Sequence, residues 1–509
     1  MVAQAPARQA AAAGDEKPVT GPGAARFAGA VTAVVVGSWL PVLAGATTRA
    51  AIGWIVAVAL AVLVAWLTRR LGVTVLVAGF VVSSALVPSG LVTDATHYMP
   101  VAVTGGALAL RIALDARHHG LPRLPPMPIV IAVGLYLAWA ALATTTSIDR
   151  RVSATYLVGM IAVCALAFWI IPAGLAQRQD RERLLAALGV LGVVVALSIY
   201  FVSVAGGLTV FGRVVGFYKV VDLTLAGRAT GIHFGYSSGA YITPLEPSIL
   251  TVIGIVALLG WSSGRALRDA RLAWIAIIFM TPAVLVTLDR SAWLAAAVGG
   301  GAFTVLAYAA KLRMAAGAFV FVFFTAWFLL VFGNLIGANT VSTACTANCS
   351  AVSGDETPLR GGTGLSGRQY LWAASADAIK YRPVLGYGPG NDVPAIDQYL
   401  GNDAKKAGYN LVGLTSHSTW FRTGVEMGIP GLLFLLASGL AVAWVFVRGI
   451  VPQKHFPDAP RLALAAAVCG LLPAMTFETF LFGGVTFSSL FLTVAAGLAV
   501  GPDSATART

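Results

Sequence analysis

Stretches of apolar sequence long enough to cross a lipid bilayer recur from one end of this chain to the other, and no other feature narrows its possible folds so far. "AIGWIVAVALAVLVAWL" from Ala51 and "FVFVFFTAWFLLVF" from Phe319 are two of them. Crossing about 30 Å of hydrocarbon takes about 20 residues of α-helix. Lipid offers no partner to an open backbone N–H or C=O, so each such run predicts a spanning helix. Charged residues make up only 11% of the chain, against about 25% in soluble domains, which excludes a water-soluble globular fold.

The apolar runs place spans at about 27–46, 51–67, 71–92, 99–114, 128–145, 154–175, 184–206, 243–261, 272–288, 291–310, 315–337, 424–447, 462–480 and 484–501. The expected fold is therefore an all-α polytopic membrane protein of about fourteen transmembrane helices. Residues 1–25, rich in Ala, Gly and Pro with Asp15, Glu16 and Lys17, have no apolar face and are expected to form a disordered cytoplasmic tail. The segment after Arg26 lacks the short apolar region and small-residue cleavage site of a signal peptide, so it counts as the first span.

Charge sets the expected orientation. Of the 34 Lys and Arg residues, twenty fall in the tails and loops of one side, counting Arg111 at the inner end of the fourth span, whereas the short loops of the other carry four, Arg49, Arg150, Arg151 and Arg290. The positive-inside rule then predicts both termini inside. Helices 1–11 occupy residues 26–338, a large extracytoplasmic loop residues 339–420, helices 12–14 residues 421–502 and a cytoplasmic tail residues 503–509. Much of the net charge of +13 faces anionic headgroups in this arrangement, so no nucleic-acid partner is expected. Cys164 and Cys469 sit in apolar runs and read as inert small hydrophobes. Cys345 and Cys349 lie four apart in the outer loop, which permits a local disulfide or two free thiols. No cofactor and no metal site are expected.

Two outer segments, 207–242 and 339–420, are too long to be connectors. In the larger, Tyr370, Leu371, Ala374, Ala378 and Ile379 recur at helical spacing until Pro383, which predicts an amphipathic helix near the membrane interface starting close to Ser366, with Arg368 near its N-terminus. "GYGPGN" follows from Gly386, with Tyr387 between glycines; its amides suit an anion, and a plain turn explains it equally well. Next, "TSHSTWFRTGVEMGIPGLLFLL" sets His417, Arg422 and Glu426 at the outer mouth of the twelfth span.

Asp289 and Arg290 occupy a near-zero-length turn between the ninth and tenth spans. Charges held at such depth line a cavity or pathway, or neutralise one another while the arginine snorkels to headgroups. Arg213, Lys219 and Arg228 add cations on the same side, and Glu246 and Glu478 lie near the outer ends of the eighth and thirteenth spans. Arginines converging on one cavity suit a diphosphate, because guanidinium forks give permanently charged, bidentate hydrogen bonds. An imidazole beside them supplies a proton acceptor at neutral pH.

"LSGRQYLW", "RPVLGYGPGN" and "SHSTWFRTGVEMGIPGLLFLL" resemble, in order and spacing, the signature region of the O-antigen ligase and O-antigen polymerase superfamily of bacterial envelope glycosyltransferases. The upstream "LDRSAW" resembles that family's Ser-Arg segment, and "GRATGIHFGYSSGAY" its earlier Arg-x-x-Gly segment. The likeness runs from about Arg228 to Leu436; the first 200 residues agree only as apolar helices. It implies a GT-C-like fold with short helices in the long outer loop. It also implies an inverting enzyme of the bacterial inner (plasma) membrane, needing neither metal nor nucleotide. Such an enzyme moves a glycan from a polyprenyl diphosphate carrier to an acceptor hydroxyl on a lipid- or wall-linked glycan, as ligase or polymerase. Arg290 and Arg368 match the family's diphosphate-contacting arginines and His417 its acceptor-side histidine. Arg228, Arg213, Arg422, Tyr387 and Glu426 are the further candidates for contact with diphosphate or glycan.

The chain departs from the family pattern at Ser418, where Asn commonly follows the histidine, and at "GIHFGYSSG", where an Asn-Pro-Asn-like stretch is usual. About fourteen helices also exceed the twelve or so of the family. The absence of any Asp-x-Asp motif disfavours metal-dependent glycosyl transfer of the usual kind. The competing expectation is a secondary transporter or flippase for an anionic or lipid-linked glycan, in which Glu246 and Glu478 would couple protons. Transporter sites, however, lie near the midplane between broken helices, whereas the unusual polar residues here cluster at the rim.

Overall fold

A computed structural model describes residues 73–86, 99–119, 124–205, 208–237, 245–309, 315–332, 336–342, 367–402, 411–450, 458–479 and 487–501, a few positions within those ranges excepted, together with scattered positions between 27 and 38. The two tails, the span expected at 51–67 and the pair Cys345 and Cys349 lie outside the described residues.

Within these limits a helix occupies each expected span from 71–92 onward, and the described positions between 27 and 38 are helical. In chain order these are α1 (Val73–Leu86), α2 (Met99–His119), α3 (Met127–Thr145), α4 (Arg150–Gly174, with a π-turn at Leu166–Ile170), α5 (Arg178–Ala205), α6 (Leu245–Ser262), α7 (Leu267–Val286), α8 (Arg290–Ala309) and α9 (Ala315–Phe332). Two short helices follow, α10 (Arg368–Tyr381) and α11 (Asp392–Tyr399), then α12 (Thr419–Ile450), α13 (Ala459–Ala474) and α14 (Phe487–Val500). Seven of them, α3 to α8 and α12, are long and apolar enough to cross a membrane, and α1, α9, α13 and α14 hold shorter apolar stretches. The helical body is that of an all-α polytopic membrane protein.

Lipid tails are as apolar as leucine, so these helices associate by close packing rather than by burying apolar surface from water. Small residues permit it. Gly192 of α5 lies against Gly254 of α6, and Gly299 of α8 against Gly470 of α13, so close that a methyl group at any of them would meet the facing backbone. Both pairs run antiparallel. The residues of α6 are buried over 83% of its spanning window, which makes it the centre of the bundle, and its apolar residues accordingly run all the way round.

The antiparallel order divides the bundle into two ends. One carries the starts of α5, α7 and α13 and the finish of α6. There Arg181 pairs with Asp458, Arg265 with Glu182 at 2.6 Å and Arg178 with the same Glu182 at 2.8 Å. The other end carries the start of α8, α10, the start of α12 and the finish of α13.

Among the described residues of the segment expected as an outer loop at 207–242 there is β structure, which corrects a purely helical reading. Strands β1 (Leu208–Val210) and β2 (Arg213–Val215) form a hairpin; β3 (Tyr218–Leu225), β4 (Arg228–Ser237) and β5 (Ile336–Ser342) form an antiparallel sheet in the order β4-β3-β5. "VVDLTL" and "ATGIHFGYS" favour this because β-branched and aromatic residues pack well on a pleated surface. Because β5 opens the segment after α9, the sheet joins the two long segments that the sequence presents as separate.

A break in α12 decides where the segment after α10 docks. Gly428 has φ 67° and ψ −173°, and Pro430 brings no N–H to the carbonyl of Glu426. The N–H of Ile429 turns away to the carbonyl of Pro383 at 2.8 Å. Two carbonyls are thus released, and the turn 386–390 satisfies them: Tyr387 N donates to Val425 O at 2.9 Å and Gly388 N to Glu426 O at 2.8 Å. A Cβ at Gly428 would collide with the carbonyls of Pro383 and Val384, in a backbone region that L side chains rarely adopt. Gly428→Ala should therefore cost about 1–3 kcal/mol or more, read as a lower Tm of the purified protein; an unchanged Tm would refute this account of the break.

Candidate functional site

Helix α13 ends at Ala474 in successive tight turns, in which Met475 N bonds to Leu471 O and Leu472 O and Phe477 N to Ala474 O. Those turns deliver Glu478 just past the helix. Its carbonyl accepts from Thr419 N at 3.1 Å and from Thr419 Oγ1 at 2.9 Å, while Met475 O also accepts from Thr419 N at 2.9 Å. The orphan amide at the start of α12 is in this way satisfied by the finish of α13, and His417, two residues earlier, is held beside Glu478.

The Glu478 side chain is buried and gathers three parts of the chain. Its Oε1 accepts from Arg368 Nη2 at 2.7 Å and from Ser291 Oγ at 3.2 Å. Its Oε2 lies 3.7 Å from His417 Nδ1, an ion-pair distance rather than a hydrogen bond. Arg368 is the first residue of α10, where a cation faces the positive end of the helix dipole and is disfavoured by about 0.3–1 kcal/mol. The Glu478 carboxylate offsets that disadvantage. Ser291 follows Arg290, the first residue of α8, and its N–H is held by Asp289 Oδ1 at 2.9 Å. So Arg368 and His417 meet on one carboxylate, and Arg290 is one peptide bond from a third contact of that carboxylate.

His417 has φ 49°, a left-handed conformation unusual for a residue with a side chain. Its neighbours keep it there. Trp372 Nε1 donates to Ser416 O at 2.9 Å, Ser416 Oγ to Ser418 O at 3.0 Å, and His417 N to Thr415 Oγ1 at 3.2 Å. Trp372 also stacks on Phe421, with ring centroids 5.7 Å apart. The apolar stripe expected to lie along the membrane interface instead packs inward: Leu371, Ala374 and Ala378 of α10 are buried with Tyr387, Ile396 and Val425.

Arg422 and Glu426 do not join the Glu478 cluster. They form a second, closed one, in which Arg422 Nε bonds Glu426 Oε1 at 2.7 Å and lies 3.6 Å from Asp392 Oδ1, with Tyr156 Oη 3.5 Å from Arg422 Nη2. Glu426 is 1% exposed and Asp392 2%. Tyr387 is buried too; its hydroxyl shares a 2.6 Å hydrogen bond with that of Tyr399, and burial and this pairing push its hydroxyl above the ordinary value. Two amides of the "GYGPGN" turn, those of Tyr387 and Gly388, are spent on the break in α12, and that of Gly390 serves the Glu426 carboxylate. Arg228 is exposed at the start of β4, and no polar contact links it to the Glu478 cluster among the described residues. Arg213 lies in β2, its side chain outside the description. Glu246 stands in the first turn of α6, where the helix dipole favours a carboxylate.

Glu478, Ser291 and Asp392 are the residues that sequence reasoning left out of the site. A signal existed for Glu478: a carboxylate directly after an apolar helix is costly unless something meets it. Among the described residues no group of three or more His, Cys, Asp or Glu side chains gathers to hold a metal ion. The geometry thus offers one anion-facing arginine fixed by a carboxylate, one half-exposed imidazole, and a second arginine at the adjoining helix start.

Residues 275–436 match the family model described as O-Antigen ligase. The match runs from within α7 into α12, and takes in Arg290, Arg368 and His417; Glu478 lies beyond it. No curated protein matches the chain.

Burial pushes the Glu478 carboxyl up, but the facing His417 imidazole, the Arg368 charge and the Ser291 hydroxyl outweigh it and hold it below its ordinary 4.5. A carboxyl depressed on folding contributes stability that is present above its unfolded value and lost as pH falls through its folded one. Thermal melts should therefore weaken as pH drops below about 4.5, and Glu478→Gln should flatten that part of the curve. An identical acid limb in the variant would show that the carboxylate is not held as described.

Proposed function

We propose, from the match of residues 275–436 to the O-Antigen ligase family model, that this chain is a membrane glycosyltransferase. It takes a glycan from a polyprenyl diphosphate carrier and joins it to an acceptor hydroxyl at the outer face of the bacterial plasma membrane. The observation that supports this most directly is the meeting of Arg368 and His417 on Glu478, which also takes Ser291, the residue after Arg290 in the chain.

The acceptor hydroxyl gives its proton to His417 as its oxygen attacks the anomeric carbon. The bond from that carbon to the diphosphate oxygen breaks, and the electron pair leaves with the diphosphate. Arg290 and Arg368 donate hydrogen bonds to the departing oxygens, an interaction that strengthens as their charge grows and so lowers the barrier. One displacement inverts the anomeric centre. No step asks for a metal or a nucleotide, since permanent guanidinium charges serve the leaving group. The acceptor is a lipid- or wall-linked glycan, which makes the enzyme a ligase or a polymerase.

The opposite end of the bundle supports the orientation: Arg178, Arg181 and Arg183 stand in the first turns of α5, and Arg265 between α6 and α7. By the positive-inside rule that end faces the cytoplasm and the Glu478 end faces out. The transporter alternative asks a carboxylate such as Glu478 to take and release a proton in each cycle. Its ion pair with Arg368 and its lowered pKa favour a carboxylate that stays ionised.

His417→Ala and Arg290→Ala should each insert and fold normally, yet lose transfer from a polyprenyl diphosphate donor by roughly 10²–10⁴-fold, the range of general-base and oxyanion contributions. Full activity in both variants would overturn the reading. Turnover should also be unchanged by EDTA; activity lost to EDTA and restored by Mg²⁺ would reveal a metal requirement.

A further inference from the structure

We propose that Glu478 is the positioning residue of this site: it sets Arg368 and His417 in register with each other and turns the free ring nitrogen of His417 toward the acceptor. The proposal rests on the transferase reading above and adds to it a residue that lies outside the matched 275–436 domain.

Both ends of this one residue are engaged. The backbone carbonyl takes the amide and hydroxyl of Thr419, which sets where the chain of His417 runs; the carboxylate takes Arg368 and Ser291 on one oxygen and faces His417 with the other. The Glu478 side chain is 8% exposed, against 22% for Arg368 and 35% for His417. The carboxylate is therefore the floor of the cluster, and the arginine and imidazole are its open face.

Two consequences follow from elementary chemistry. With Nδ1 toward the carboxylate, Nε2 is on the far side of the ring, and a proton on Nδ1 leaves Nε2 bare as an acceptor. Closing the 3.7 Å separation by about half an ångström brings it within hydrogen-bond range, a tightening common when substrate arrives. Arg368 has five N–H donors and, among the described residues, commits one to Glu478, which leaves the rest of its fork for a phosphate oxygen. Charge balances as well. Arg368 and Glu478 cancel before reaction; once His417 takes the acceptor proton, the carboxylate stabilises the imidazolium while the arginines stabilise the departing diphosphate.

The left-handed backbone at His417 points the same way. Strain of about 1–3 kcal/mol persists where surrounding contacts over-determine it, and the contacts to Ser416, Ser418 and Thr419 lock both sides of the residue. A histidine needed only for packing gains nothing from that conformation.

The test is a double-variant cycle on the full-length protein in detergent, following release of polyprenyl diphosphate from lipid-linked saccharide extracted from the expressing membranes. Glu478→Gln should lower kcat on the order of 10²-fold with a smaller change in KM, and Glu478→Asp should restore part of the loss. In a His417→Ala background, Glu478→Gln should cost little more, because residues acting through one another are non-additive. If the two losses multiply, or if Glu478→Gln is fully active while His417→Ala is not, Glu478 does not position the histidine. If Glu478→Gln does not fold, Glu478→Asp carries the same cycle, and its loss must likewise vanish in the His417→Ala background. Full activity in His417→Ala itself defeats the transferase reading rather than this addition to it.

Discussion

Hydrocarbon leaves no backbone group unpaired without penalty, and the irregular parts of this protein are arranged around that constraint. Where α12 breaks at Gly428 and Pro430, the freed carbonyls of Val425 and Glu426 take the amides of Tyr387 and Gly388. Where α12 starts, the finish of α13 receives the amide of Thr419. Each repair brings in a distant stretch of chain. The first draws the segment after α10 onto the bundle, and the second draws Glu478 to His417. The site is thus a by-product of pairing backbone groups that membrane helices cannot leave open.

Two arginine–carboxylate groupings result, and burial gives them different uses. Arg422, Glu426 and Asp392 are enclosed, with Arg422 only 10% exposed at its side chain, and they tie α11 to α12. Such a pair adds little net stability, because desolvation cancels much of the attraction; removing one member is what costs. The Arg368 and Glu478 pair is built from the same chemistry but opens on one side, and it has an imidazole beside it. An arginine that must recognise a phosphate needs that opening. Arg422 lies three residues into α12 from Thr419, the residue bonded to the Glu478 carbonyl, so the enclosed grouping also stiffens the helix from which the site is hung.

Helices were legible because their cause is local. Twenty apolar residues in a row have one stable backbone conformation in lipid, so α3 through α8 lie within a few residues of the spans read from the apolar runs, and the helix expected near Ser366 begins at Arg368. The strands β3 and β4 were less legible although alternation in "VVDLTL" and "ATGIHFGYS" hinted at them, because short strands become stable only with partners, and one partner, β5, lies more than a hundred residues away. The fate of "GYGPGN" was open in sequence for a similar reason: the same amides suit an anion or a carbonyl, and only the break in α12 shows which is offered.

His417, Arg290 and Arg368 were singled out by residue type and order along the chain, since a charged group beside an apolar run has few places to go. The likeness of residues 275–436 to the O-Antigen ligase model was likewise written in the order of short motifs. What sequence could not decide was which carboxylate meets which cation. Glu426, four residues from Arg422, was a natural partner on a helix face and became one. Glu478 was one acidic residue among several, 110 positions from Arg368, and its distance to Nη2 exists only once α13 has folded back beside α12. Coulomb attraction falls with separation in space, and separation in space is a property of the packed bundle, not of chain order.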